Sequence, residues 1–423
     1  MATASGSGAG TASCPGGDPS ITLPPGFCAT IFADSVGAPR HVVVAPNGDV
    51  FVTLASKKRG PTDLTEQGGS TNGKTGAVIA LRDTTHDGRA DVIQYFGNRG
   101  NTGVGLYGGY VYWDAGNAIL RAPLAAGTLK PSGATETVVM DIPATGDHKA
   151  RNFLIDSSGT LYLNIGSPSN SCQVKNRTLN SPGIDPCPEL DTRAGIWRFD
   201  ARKTGQHPTV GNRYATGLRN GMGIAIEPMT KQMYATQHGR DQLGDNWPKL
   251  FTTDQNANEP AEELVQVNQG DDFGWPYCFY SLERKQLVLA PEYGGDGTKV
   301  GRCATKKEPA VAFPAHWAPM SLVFYTGNAF PAKYRGGAFI AFHGSWNRAP
   351  LPQAGYRVSF VPFAGGKPTG SYEDFANGFA GGNLQPDRAA HRPVGLAVAP
   401  DGAMFITDDK GGRIWRVTYH AAP

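Results

Sequence analysis

One short unit recurs along this chain and decides what it can fold into. An apolar strand runs into a turn, mostly with Gly, and a second strand follows. Six copies read APNGDVFVT at 45–53, LYGGYVYW at 106–113, DSSGTLYLNI at 156–165, EPMTKQMYAT at 227–236, RGGAFIAF at 335–342 and APDGAMFITDD at 399–409. Alternation with period two dominates, and no convincing amphipathic helix separates the copies. A lone four-stranded sheet cannot bury both of its faces, whereas sheets repeated around an axis bury one another's. The pattern predicts an all-β fold, a six-bladed β-propeller with long insertions. An open solenoid fits less well, because the intervals range from roughly 50 to 105 residues. With 56 Gly and 32 Pro in 423 residues, the chain has enough punctuation for that many tight turns. Residues 1–19 are rich in Gly, Ser, Thr and Ala without an apolar period and read as a flexible leader; residues 20–423 read as the propeller domain.

The net charge of +3 is too small to argue for nucleic acid or an anionic membrane as a partner. No apolar run approaches the ~20 residues that a membrane-spanning helix needs. The six cysteines fall into sequence-local pairs: Cys14 with Cys28, Cys172 with Cys187, Cys278 with Cys303. None has zinc-site spacing. Three local disulfides imply an oxidising compartment and a secreted protein; six free buried thiols are the alternative. The sequon Asn176-Arg177-Thr178 agrees with secretion, although no signal peptide is visible.

In a propeller the loops ahead of the innermost strands converge on one end of the central channel. Residues just ahead of each unit therefore meet in space. Ahead of the first comes Arg40, ahead of the third His148, ahead of the fourth Arg219 and Asn220, ahead of the sixth His391 and Arg392. After the fifth, FHGSWNRAP carries His343, Trp346 and Arg348, and His316 lies close by in sequence. A mouth with several arginines, few acids and an imidazole suits a polyanionic ligand, because Arg pairs carboxylates in fixed, often bidentate geometry. Separately, DTTHDGRAD at 83–91 sets Asp83, Asp87 and Asp91 around Gly88. This is either a short calcium loop without the distal Glu or a hairpin turn built on Asp-Gly.

Together, GDHKARNFLIDSSGTLYLNIGS, YATGLRNGMGIAIEP, EELVQVNQGDDFGWP, FHGSWNR and HRPVGLAVAPDG resemble the soluble quinoprotein sugar dehydrogenases, six-bladed propellers that bind pyrroloquinoline quinone (PQQ) and calcium. The likeness spans roughly residues 20–420 and is greatest to the secreted fungal branch, the PQQ-dependent pyranose dehydrogenases. It implies that His148 is the general base and that Arg219 and Asn220 contact quinone and substrate. It implies that Gly239 and Arg240, in TQHGRD, hold the catalytic calcium through their main-chain carbonyls, beside His238 on the cofactor side. Arg392 matches a cofactor-clamping arginine, and Arg40 joins the cofactor-binding set from its place ahead of the first unit; Trp346 and Arg348 stand in place of a bacterial lysine. Glu263 and Phe273 match a place where bacterial members hold further calcium. Bacterial glucose enzymes carry an acid where this chain has Ser167, so the partner that orients His148 is expected elsewhere. The implied reaction moves a hydride from a pyranose to PQQ and the hydroxyl proton to His148, with electrons passing on to a cytochrome b domain or another acceptor. A monomer is expected. Two other readings are a calcium-dependent lactonase-type hydrolase and a propeller kept only as a binding module.

Overall fold

Each of the six hairpin units grows into a four-stranded antiparallel sheet. The computed structural model describes residues 14–55, 70–71 and 74–421, so residues 1–13 of the expected leader lie outside the described residues. Blade 1 is Pro39–Val44, Val50–Leu54, Val78–Arg82 and Val92–Phe96. Blade 2 is Val104–Tyr107, Tyr110–Asp114, Ile119–Pro123 and Glu136–Val139. Blade 3 is Phe153–Ile155, Thr160–Ile165, Gly195–Asp200 and Arg213–Thr216. Blade 4 is Ile224–Ile226, Met233–Gln237, Glu262–Val267 and Val311–Phe313. Blade 5 is Pro319–Phe324, Ala338–Phe342, Arg357–Val361 and Glu373–Ala376. Blade 6 takes Pro393–Val398, Met404–Asp408 and Arg413–Tyr419 from the C-terminal part, and its outermost strand, Phe27–Ala33, from the N-terminal part. That strand pairs antiparallel from Phe27 with Tyr419 to Ala33 with Ile414.

The first strand of each blade packs against the first strands of both neighbours, which closes the ring. Between neighbouring blades lies one apolar cluster per interface. Blades 5 and 6 share Phe330, Phe339, Phe375 and Trp415; blades 1 and 2 share Phe51, Val78 and Trp113; blades 2 and 3 share Tyr112, Leu163 and Trp197. Full burial of one such side chain is worth about 1.5–3 kcal/mol, so every blade face is stabilised only while its neighbour is in place. Three disulfides join the expected pairs. Residues 14–19 are held to blade 6, through Cys14–Cys28 and through Asp18, which accepts from Trp415 Nε1 at 2.9 Å and from Arg413. No helix among the described residues is long and apolar enough to cross a membrane.

The channel has a polar crossing point. His41, on the first strand of blade 1, donates Nε2–H to the Met320 carbonyl of blade 5 at 2.8 Å. Burial, helped by the Arg40 charge, lowers the His41 pKa to about 4. The unfolded chain therefore takes up a proton that the folded chain refuses between pH 6.5 and 4. This contribution is complete above pH 6.5 and is lost as pH falls through that window, on the order of 3 kcal/mol. His41→Gln keeps a donor for Met320 without titrating. We expect its Tm to fall less than the parent's between pH 6.5 and 4; equal slopes would show that His41 carries no such linkage.

Candidate active site

Strand direction alternates within a blade, so two sets of loops open at the same end of the channel. One set precedes each first strand; the other joins second to third strands. The first set brings His148, Arg219, His316 and Arg392, and the second brings residues 166–194, 238–261 and 343–356. Their meeting place is a cavity of about 340 Å³. Of the expected residues, His148, Arg219, His238, Gly239 and Trp346 line it, as does His316. Asp147, Arg177, Asp241, Glu262 and Asn347 line it too and were not anticipated.

His148 is half-buried and its Nδ1 lies 2.8 Å from the Ser167 carbonyl and 2.9 Å from Ser167 Oγ. A carbonyl only accepts, so Nδ1 carries the proton and Nε2 keeps its lone pair. Nε2 has no hydrogen-bond partner among the described residues. The expectation that the orienting partner lies elsewhere is thus corrected: it is Ser167 itself. Burial, then the Arg219 charge, holds the His148 pKa well below 6.5, so the ring is neutral at pH 7. The strand end reaches His148 only because residue 166 is Gly. A Cβ there would sit 2.7 Å from the His148 Cβ and 3.0 Å from Asn220 Oδ1. His316 is less available, since Nε2–H donates to the Asn256 carbonyl at 2.9 Å and Nδ1 faces Asn347 Nδ2 at 3.4 Å. His238 donates Nε2–H to the Pro319 carbonyl at 2.8 Å, and burial lowers its pKa to about 4.

The mouth is less purely cationic than the sequence pattern suggests. Asp241 accepts from Arg219 Nη2 at 2.9 Å, Arg177 Nη2 at 3.0 Å and Asn347 Nδ2 at 2.9 Å. Burial alone would raise its pKa, but Arg219, Arg177 and His316 outweigh that and hold the carboxyl well below the usual range. Asn170 fixes Arg219 from below, accepting from Nε through its carbonyl at 3.0 Å and from Nη2 through Oδ1 at 2.9 Å. Arg219 Nη1 donates to the Gly239 carbonyl at 2.8 Å. Glu262 is buried beside it, accepting the N–H groups of Gly239 and Ala318; burial raises its pKa to about 8.

Other expected residues sit differently. Asn220 lies behind His148, outside the cavity lining, and accepts from Asn164 Nδ2 at 3.3 Å. Arg40 pairs with Asp409, which also holds His343 Nε2 at 2.7 Å. Arg392 donates to the carbonyls of His343 at 2.9 Å and Gly344 at 2.5 Å. Arg348 is a brace rather than a mouth residue: it donates to the Ala257 carbonyl at 2.6 Å and to Asn258. The Arg240 side chain turns away from the cavity into a buried pair with Glu292; the expectation for this residue concerned its main-chain carbonyl, on which that pair does not bear. Successive strand residues face opposite sides, so Glu263 points away from Glu262 into a small separate space shared with Gln237, where its Oε2 has no partner among the described residues. Phe273 is buried in the cluster between blades 3 and 4 and does not line that space. Asp83, Asp87 and Asp91 lie at the far end from the mouth and spend their carboxylates on loop amides of Gly88, Arg89 and Thr84. Among the described residues their carboxylates do not form a three-ligand cluster, and the amide bonds they make are those of a turn.

The missed residues had a signal. Arg177 stands inside the sequon, in a loop bounded by Cys172 and Cys187 that directly follows the His148 hairpin, and Asp241 is the next residue after Gly239 and Arg240. Among known proteins, a Coprinopsis cinerea protein named pyrroloquinoline quinone-dependent pyranose dehydrogenase is 28% identical over 306 residues, 62% of this chain and 38% of that protein. An uncharacterized Borreliella burgdorferi protein is 34% identical over 210 residues, 48% of each. The matched region thus spans less than half the length of either relative. A solved Trichoderma reesei carbohydrate-active enzyme of family AA12 superposes with a TM-score of 0.75 at 20% identity, over 95% of this chain and 98% of that one, which shows the shared propeller. Residues 21–420 match the family described as TrAA12-like, and the chain belongs to that family.

Proposed function

We propose that this chain is a PQQ- and calcium-dependent dehydrogenase that oxidises pyranose sugars, secreted and acting as a monomer. The observation that supports this most is the free Nε2 of a neutral, fixed imidazole beside a guanidinium-lined cavity. The name of the Coprinopsis relative supports PQQ as the cofactor. The residues present fit both groups. Arg177 and Arg219 would meet the carboxylates of PQQ, with Trp346, 48% exposed at the rim, free to cover a ring. The main-chain carbonyls of Gly239 and Arg240 would hold calcium, with Asp241 and Glu262 in the same lining as further oxygens; the ion would displace Arg219 Nη1–H from the Gly239 carbonyl. Bound there, PQQ supplies the two-electron acceptor for the sugar C–H, polarised by calcium. His148 Nε2 takes the hydroxyl proton, and Ser167 keeps the ring in that tautomer. The Asp83–Asp91 loop, Glu263 and Phe273 are not needed for this reading. Electrons would leave to a cytochrome domain or a comparable acceptor.

The test mixes protein with PQQ and calcium and follows dye reduction over pyranoses, aldonolactones and no substrate. Reduction that requires both PQQ and sugar is the expected result. Lactone hydrolysis without PQQ would replace it with the lactonase-type reading, and saturable PQQ or sugar binding with neither reaction would replace it with a binding module.

A further inference from the structure

Ser167 is fully buried, and every polar atom it has is engaged. Its N–H donates to the Arg219 carbonyl at 2.8 Å. Its Oγ–H donates to the Ser169 carbonyl at 2.6 Å, which turns the Oγ lone pairs toward His148. Its own carbonyl takes the Nδ1 proton. Behind it, Ser169 Oγ–H donates to Glu189 Oε1 at 2.6 Å and accepts the Cys172 N–H at 2.9 Å. The carboxyl of Glu189 is therefore two serines removed from the imidazole and does not touch it.

We infer that Ser167 is the positioning residue for the proton acceptor of this site, holding His148 as the Nδ1–H tautomer through two uncharged acceptors. This deepens the proposed dehydrogenase reading and rests on it for its kinetic consequence, but not for its structural content. An uncharged pair of acceptors fixes the ring without stabilising an imidazolium, whereas a carboxylate in the same place would do both. The remaining charges facing the ring are Arg219, His238 and Asp241 across the cavity, with Asp147 and Lys149 flanking it in sequence. Arg151 and Arg193 donate to the His148 main-chain carbonyl. None of them contacts Nδ1.

The test has two arms. In the first, the full chain without added cofactor is labelled with ¹⁵N, His148→Gln assigns the ring signals, and tautomer and titration are followed from pH 4 to 8. We expect Nδ1–H with Nε2 still unprotonated well below the ordinary imidazole range, in the parent and in Ser167→Ala, which keeps the main-chain acceptor. An Nε2–H tautomer, or a ring that titrates at its ordinary pH in the parent, overturns the proposal. In the second arm, Ser167→Asp places a carboxylate at Nδ1. The His148 titration should rise by at least about one pH unit, and in loaded protein the acid limb of kcat/KM should rise with it, while Ser167→Thr retains the parent profile. An unmoved titration in a folded Ser167→Asp protein overturns the proposal; if that variant does not fold, the parent and Ser167→Ala spectra decide. Absence of sugar oxidation with the expected spectra would remove the dehydrogenase reading and leave the positioning role in place.

Discussion

His148→Ala in protein loaded with PQQ and calcium is expected to lower kcat for sugar oxidation about 10²- to 10⁴-fold, the usual worth of a positioned general base. The loss should fall on kcat, because the imidazole acts on a proton that moves only in the reacting complex. PQQ affinity, read by quenching of protein fluorescence, should stay close to the parent's, since the guanidiniums proposed to meet its carboxylates are those of Arg177 and Arg219. The pH profile offers a further check. The His148 pKa lies well below 6.5 because of burial and the Arg219 charge, so activity should be flat near neutrality and fall only in acid. Near-parent turnover in His148→Ala would remove it from the mechanism and turn attention to His238, whose Nε2 is fixed in the same manner by a carbonyl.

The largest effect on stability should come from a residue outside the cavity. Glu292 is fully enclosed and accepts Arg240 Nη1 on both oxygens, at 2.7 and 2.6 Å. It also accepts Trp247 Nε1 at 2.9 Å and Ser171 Oγ–H at 3.1 Å. Glu292→Ala leaves a buried guanidinium without its countercharge, held only by the Nε–H bond to the Asp241 carbonyl, and strands the Trp247 and Ser171 donors. We expect a loss of about 3–5 kcal/mol in urea titration. The double variant Arg240→Met, Glu292→Leu removes the stranded charge and should recover a large part of that loss, though not the part due to Trp247 and Ser171. A loss below about 1 kcal/mol in the single variant would mean that the guanidinium finds water instead. Because Arg240 follows Gly239 directly, the same substitution should also loosen the loop that presents the Gly239 carbonyl.

All six turns were legible in the sequence, because a hairpin turn is a local event. APNG at 45–48 or SSG at 157–159 sets its own geometry whatever surrounds it. His148, Arg219 and Arg392 were legible for the same reason, each standing a few residues ahead of a strand whose direction was already known. What was not legible was choice of partner. Nothing in the letters of residues 166–194 says that Arg177 will reach Asp241, which belongs to a different blade. Acids at 83, 87 and 91 read equally well as a cation loop or as a turn that satisfies its own amides, and the letters do not show the amide bonds they make. Ser167 was read as the loss of an acid, because sequence shows which side chain is present and not where a main-chain carbonyl points. Arg348 stands in the expected loop, but its side chain braces Ala257 and Asn258 instead of facing the cavity.

Blade 6 has a consequence for how such a ring can be made. Thr30 of its outer strand and Arg416 of the strand it joins are 386 residues apart in the chain. During synthesis Phe27–Ala33 emerges first and finds no mate until Arg413–Tyr419 has left the ribosome. Five sheets can be complete by then, yet the outermost strand of the sixth still waits with its hydrogen-bonding edge open. The contact that closes the circle is also among the most distant in the chain, and distant contacts form slowly. A circularly permuted chain opened at a turn such as Ser157–Gly159, with its old ends linked, would present the strands of blade 6 in succession, and so should latch sooner than the natural order does.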